Sequence, residues 1–147
     1  MKVLFSLLML VLPLVARAEI VDIGNDELRK LVAQGVKLVD LRTVGEWRQT
    51  GVVAGSHMIT LFDERGQVNP DWKRDVAALA PADQPIVLIC RSGNRSGIAA
   101  KMLAEASPTR RIYNVREGMN GWARAGQPIV SLQQNQKTAG IRCAPVC

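Results

Sequence analysis

Ile86-Val87-Leu88-Ile89-Cys90-Arg91-Ser92-Gly93-Asn94-Arg95-Ser96 is the stretch that decides the fold. Its first four residues form an uninterrupted apolar run behind Pro81 and Pro85. Such a run reads as a strand buried on both faces, the signature of a central strand in a parallel sheet covered by helices. The run stops at Cys90, and a short polar loop with one glycine follows. Ile98, Met102 and Leu103 then recur at helical spacing, so a helix begins near Ser96. The segment is strand, loop, helix, with a cysteine at the join.

Outward from it, strands are expected at 20–23, 37–41, 58–59 and 111–115. Gly24 opens a helix in which Leu28, Leu31 and Val32 share a face, and Gly35 closes it. Residues 44–49 suit one helical turn. Asn69-Pro70 opens a helix with Trp72, Val76 and Leu79 on one side, and 120–125 suits a last short helix. Asp63-Glu64-Arg65-Gly66 is turn-like. Strands alternate with helices throughout, so the class is α/β with a mostly parallel central sheet flanked by helices. Residues 131–147 are polar apart from Cys143 and Cys147 and read as a C-terminal tail.

The chain has 147 residues and a formal charge of +6. Lys2, an apolar run over 3–15 and Ala16-Arg17-Ala18 form the pattern of a secretory signal peptide spanning 1–18, cleaved before Glu19. The run is too short for a membrane span of about 20 residues, so no stable membrane insertion is expected. Loss of 1–18, with Lys2 and Arg17, leaves 129 residues and a charge of +4. That length supports one domain, over 19–130, with its own core. The expected location is an exported one, the bacterial periplasm. Scattered cations and few aromatics exclude a nucleic-acid surface. His57 is the only histidine, and a single histidine makes no metal site.

Export places the cysteines in an oxidising compartment. Cys90 stands alone at the C-terminal edge of the sheet, where open α/β folds bind ligands. The loop Arg91-Ser92-Gly93-Asn94-Arg95 can turn its N–H groups toward one point, and the incoming helix adds its positive N-terminal end. With two arginines beside it, a thiol there is favoured as the thiolate, a nucleophile that needs no histidine base. Asp40 and Arg42 end a strand on the same edge, where they either brace this loop or form an internal ion pair. Cys143 and Cys147 are either a local disulfide or a redox pair serving Cys90.

Cys90 to Ser96 resembles the active-site loop of the rhodanese (sulfurtransferase) family. Asp40-Leu41-Arg42 with Glu46-Trp47 is similar to that family's D-x-R segment. Gly51-Val52-Val53-Ala54-Gly55-Ser56 is similar to its glycine corner. Gly118-Met119-Asn120-Gly121-Trp122 and Gly126-Gln127-Pro128 resemble its closing element, with Met119 read in place of a second glycine. The resemblance covers most of 19–130. It implies a rhodanese-like three-layer domain and transfer of a sulfane sulfur from a small anionic donor such as thiosulfate. A Cys90 persulfide carries the sulfur, with Arg91 to Ser96 binding the anion. A thiol or cyanide accepts it, a thiol-redox protein is a possible partner, and no cofactor is implied. Two alternatives stand beside it. One is a non-catalytic binding module of the same fold. The other is a cysteine phosphatase or arsenate reductase, whose Cys-x5-Arg pattern fails here because Ser96 sits six residues after Cys90.

Overall fold

The computed structural model describes residues 17–139. Five strands, β1 (Glu19–Ile23), β2 (Lys37–Asp40), β3 (His57–Met58), β4 (Ile86–Ile89) and β5 (Arg111–Val115), form one sheet in the order β1-β5-β4-β2-β3. Every pairing is parallel. The helices are α1 (Asn25–Ala33), α2 (Val44–Thr50), α3 (Trp72–Leu79), α4 (Asn94–Ala106), α5 (Gly118–Arg124) and α6 (Leu132–Ala139).

β4 is the middle strand, and all four of its side chains are buried. Because successive side chains point to opposite faces, it feeds two cores. Ile86 and Leu88, with Val39 and Ile112, meet Trp72 and Val76 of α3 and Ala99, Ala100 and Leu103 of α4. Val87 and Ile89, with Leu38, meet Leu28 and Leu31 of α1 and Met119 and Trp122 of α5. Helices therefore cover both faces, and the architecture is the expected three-layer one. Truncating a core leucine such as Leu88 to alanine should cost about 2–5 kcal/mol.

The reading of a tail from residue 131 onward needs correction over 132–139. Residues 132–139 form α6, and Val52 bridges Val130 to bring the chain back to the domain. Trp47, Val52 and Met58 make a third cluster against which Val130 and Leu132 pack. Asn135 of α6 is fully buried. The Gly55 N–H donates to its Oδ1 at 2.7 Å, and its Nδ2 donates to the Ser56 carbonyl at 2.9 Å. The anchor is thus a polar side chain, which a search for apolar spacing passes over.

Among the described residues no helix is long and apolar enough to cross a membrane. Residues 1–16 of the expected signal peptide, and Cys143 and Cys147, lie outside the described residues.

Candidate active site

β2 and β4 are neighbours, yet the chain leaves them in opposite directions along the sheet, β2 toward β3 and β4 toward β5. Their C-terminal ends form the switch point at which open α/β sheets hold ligands. Cys90 follows β4 there, and it is 1% exposed.

The loop closes on the cysteine sulfur. The Gly93 N–H donates to Cys90 Sγ at 3.2 Å. The Ser96 hydroxyl lies 3.4 Å from Sγ and 3.1 Å from the Gly93 carbonyl, so its one proton can serve either acceptor. α4 begins at Asn94, two residues before the expected start, so the N-terminal end of a 13-residue helix lies beside the sulfur. The helix N-terminus, the amide and the hydroxyl are thus all turned toward Sγ.

Two glycines permit this geometry. Gly93 has φ +88, and a Cβ there would run into the Arg116 carbonyl oxygen. Gly118 has φ +56, and a Cβ would strike the Cys90 carbonyl oxygen. Between them the loop carbonyls are held by α5: the Met119 N–H donates to the Cys90 carbonyl at 2.8 Å, and the Asn120 N–H to the Arg91 carbonyl at 3.0 Å. The position in this turn that requires glycine is Gly118. Met119 keeps an ordinary backbone and packs into the core, so it does not alter the turn.

The two loop arginines do different things. Arg95 is engaged in a two-pronged pair with Glu46, at 2.8 and 2.5 Å. Glu46 Oε2 also accepts the Thr43 N–H at 3.0 Å, and the Glu46 N–H donates to Thr43 Oγ1 at 3.3 Å, a capping box that starts α2. Burial pushes the Glu46 carboxyl up, but the Arg95 and Thr43 hydrogen bonds and the Arg95 and Arg42 charges outweigh it, bringing it to about 2. Arg91 is exposed and, among the described residues, has no ion-pair partner.

Asp40 and Arg42 form a buried ion pair, with Nη2 to Oδ2 at 2.7 Å. Arg42 spends its other donors on Thr50 Oγ1 at 2.6 Å and the Gly51 carbonyl at 2.8 Å. The pair ties β2 to the end of α2, and none of these contacts reaches the Cys90 loop. His57 is half-buried in β3, and burial together with the Lys37 charge holds its imidazole below the ordinary range.

Arg91 and Glu46 stand between two recesses beside the loop. One, of about 520 Å³, takes in Ser92, Asn94 and Arg95 and faces Asp63 and Glu64. The other, of about 200 Å³, lies against Met119, Asn120 and Ala123. A larger recess of about 700 Å³ between α2 and α6 contains no loop residue. Sequence reading placed Cys90 and its loop but missed the part played by Glu46. The Thr43-x-x-Glu46 spacing was the available signal.

Residues 24–125 match the rhodanese-like domain family. A sulfurtransferase of Allochromatium vinosum is 31% identical over 112 residues, covering 75% of this chain and 94% of that protein. Rhodanese-like domain-containing protein 17 of Arabidopsis thaliana is 28% identical, covering 76% and 73%. The crystal structure of Rv0390 from M. tuberculosis superposes with a TM-score of 0.63 at 26% identity, covering 76% of this chain and 96% of that one.

Proposed function

The chain belongs to the rhodanese-like family, and we propose that it is a sulfurtransferase that takes its sulfur from thiosulfate through a Cys90 persulfide. The observation that carries this reading is the buried Cys90 sulfur, met by the Gly93 N–H and the Ser96 hydroxyl at the head of α4. The Allochromatium vinosum relative, named a sulfurtransferase, supports the reaction class and leaves the donor to the site's geometry.

The Cys90 thiolate attacks the outer sulfur of thiosulfate. The bond between that sulfur and the sulfonate group breaks, sulfite leaves with the electron pair, and Cys90 carries a persulfide anion. The loop donors turned toward Sγ serve the persulfide anion in turn. Arg91, the loop cation without an ion-pair partner among the described residues, meets the incoming dianion, and Arg95 with Glu46 holds the loop's exit in place. In the second half-reaction cyanide or a thiol takes the outer sulfur and Cys90 returns to the thiolate.

Phosphoryl transfer is disfavoured by two features. Ser96 presses a hydroxyl against the sulfur at the position where that chemistry places an arginine, and Arg95 is already committed to Glu46. Residues 1–18 are proposed as a leader that sends the mature chain to the periplasm. β1 starts at Glu19, so cleavage there leaves every strand pairing intact.

Thiosulfate:cyanide sulfur transfer by the purified protein and by Cys90→Ser tests the proposal. Turnover should vanish in the variant while its circular dichroism is unchanged. A wild-type protein that binds thiosulfate without turnover would instead identify a binding module, and wild-type turnover in the variant would remove Cys90 from the chemistry.

A further inference from the structure

The recess of about 700 Å³ between α2 and α6 lies apart from the Cys90 loop. Its lining is partly apolar, from Trp47, Ile129, Val130 and Leu132, and partly hydrogen-bonding, from Arg48 and Gln133. Several of these groups are left unmet. The Trp47 indole N–H is buried and has no hydrogen-bond partner among the described residues, a costly state for a buried donor. Arg48 has no ion-pair partner among the described residues. Ile129 is 39% exposed, unusual here for a large apolar side chain. The recess therefore calls for an occupant with an apolar face and hydrogen-bond acceptors.

The chain that runs on from α6 has that chemistry. Leu132 and Gln136 line the recess four residues apart, and position 140 is four further on. By the helical repeat the chain leaves α6 on the side of the recess. At least eight residues follow Ala139: Gly140-Ile141-Arg142-Cys143-Ala144-Pro145-Val146-Cys147, with Arg142 their one charge. An eight-residue helix is about 12 Å long, so about four extended residues at ~3.3 Å each retrace it. In an extended segment alternate side chains share a face, which puts Ile141, Cys143 and Pro145 on one side and Arg142 on the other. Such a segment also brings a row of backbone carbonyls, the acceptors that Trp47 and Arg48 lack, and Pro145 adds no competing donor. The family match ends at residue 125, so α6 and the chain beyond it are features of this chain outside that match.

We propose that residues 140–147 fold back along α6 into this recess as an extended strap. Ile141, Cys143 and Pro145 pack on Ile129 and Leu132, Arg142 faces solvent, and a backbone carbonyl accepts the Trp47 indole N–H. The strap adds an apolar clasp to the polar anchor at Asn135. It also covers Ile129, which borders the smaller recess against Met119 and Ala123.

The test follows the Trp47 indole N–H by heteronuclear NMR, its signal identified with Trp47→Phe. Three reduced proteins are compared: the full chain, a chain ending at Ala139, and Ile141→Asp. In the full chain the indole proton should exchange about tenfold more slowly than in the shortened chain and should show contacts to the Ile141 methyls. Ile141→Asp should lose both with no residue removed, and its Cys143 should be alkylated about tenfold faster than in the full chain. The backbone signals of β4 and α4 should be the same in all three, which separates lost docking from lost folding. A Trp47 signal and a Cys143 alkylation rate unchanged between the full chain and Ile141→Asp would overturn the inference. So would protection that fades on dilution, or Ile141 contacts that arise between differently labelled chains, since either would give the recess to a second copy.

Discussion

Replacing Glu46 by glutamine should weaken the domain in a way that depends on pH. The carboxyl is brought from its ordinary 4.5 to about 2. At about 1.36 kcal/mol for each pH unit of displacement, the ceiling on its contribution is about 3.4 kcal/mol. Glu46 and Arg95 are each 24% exposed at their side chains, so solvent screening reduces this to about 1–2 kcal/mol. The folded carboxyl titrates below the unfolded one, so its contribution is fully present above about pH 4.5. It is lost as the pH falls from there toward 2. Urea denaturation of wild type and Glu46→Gln at pH 7, 5, 4 and 3 reads this directly. The gap should be about 1–2 kcal/mol at pH 7 and should narrow steadily below pH 4.5. A gap of constant size at every pH would show that packing, not charge, holds Glu46 in place, and would refute the electrostatic account of the α2-to-loop tie.

Three further outcomes follow from the site's geometry. Gly93→Ala combines left-handed backbone strain with a clash at the Arg116 carbonyl, so it should lose about 3 kcal/mol or more of stability and most sulfur transfer, read by thermal melts and turnover. Arg91→Ala should raise the KM for thiosulfate about five- to tenfold with a smaller change in kcat, because its guanidinium has no ion-pair partner among the described residues and is proposed to meet the donor; an unchanged KM would remove it from donor binding. Asn135→Ala leaves the Gly55 N–H and the Ser56 carbonyl without their partner and should cost about 2–3 kcal/mol in urea denaturation, whereas a neutral result would mean that α6 docks by other contacts.

The sheet was legible in the sequence because its residues obey simple periodicities. Ile86 to Ile89 announced the central strand, and the helices flanking it showed their apolar faces at three- and four-residue spacing. Cys90 was legible for the opposite reason: a polar glycine-containing loop directly after a buried strand breaks the pattern of a core cysteine. What stayed hidden depends on contacts distant in sequence. Arg91 and Arg95 look equivalent as neighbours of Cys90, and only the fold brings Glu46, 49 residues away, onto one of them. Asp40 and Arg42 left two readings open, and the direction of the Arg42 donors, toward Thr50 and Gly51, favours the internal pair. α6 escaped because its anchor is Asn135, an amide whose value lies in two backbone groups 79 and 80 residues away. Gly118 is required by the Cys90 carbonyl, a neighbour that no local pattern reveals.

The central claim is that Cys90 carries the transferred sulfur. Intact-protein and peptide mass spectrometry of the chain after incubation with thiosulfate, before any acceptor is added, tests it most directly. The account predicts one added sulfur, located on Cys90, that disappears when cyanide is supplied and never forms in Cys90→Ser. An unmodified Cys90 in a protein that still moves sulfur from thiosulfate to cyanide would contradict it.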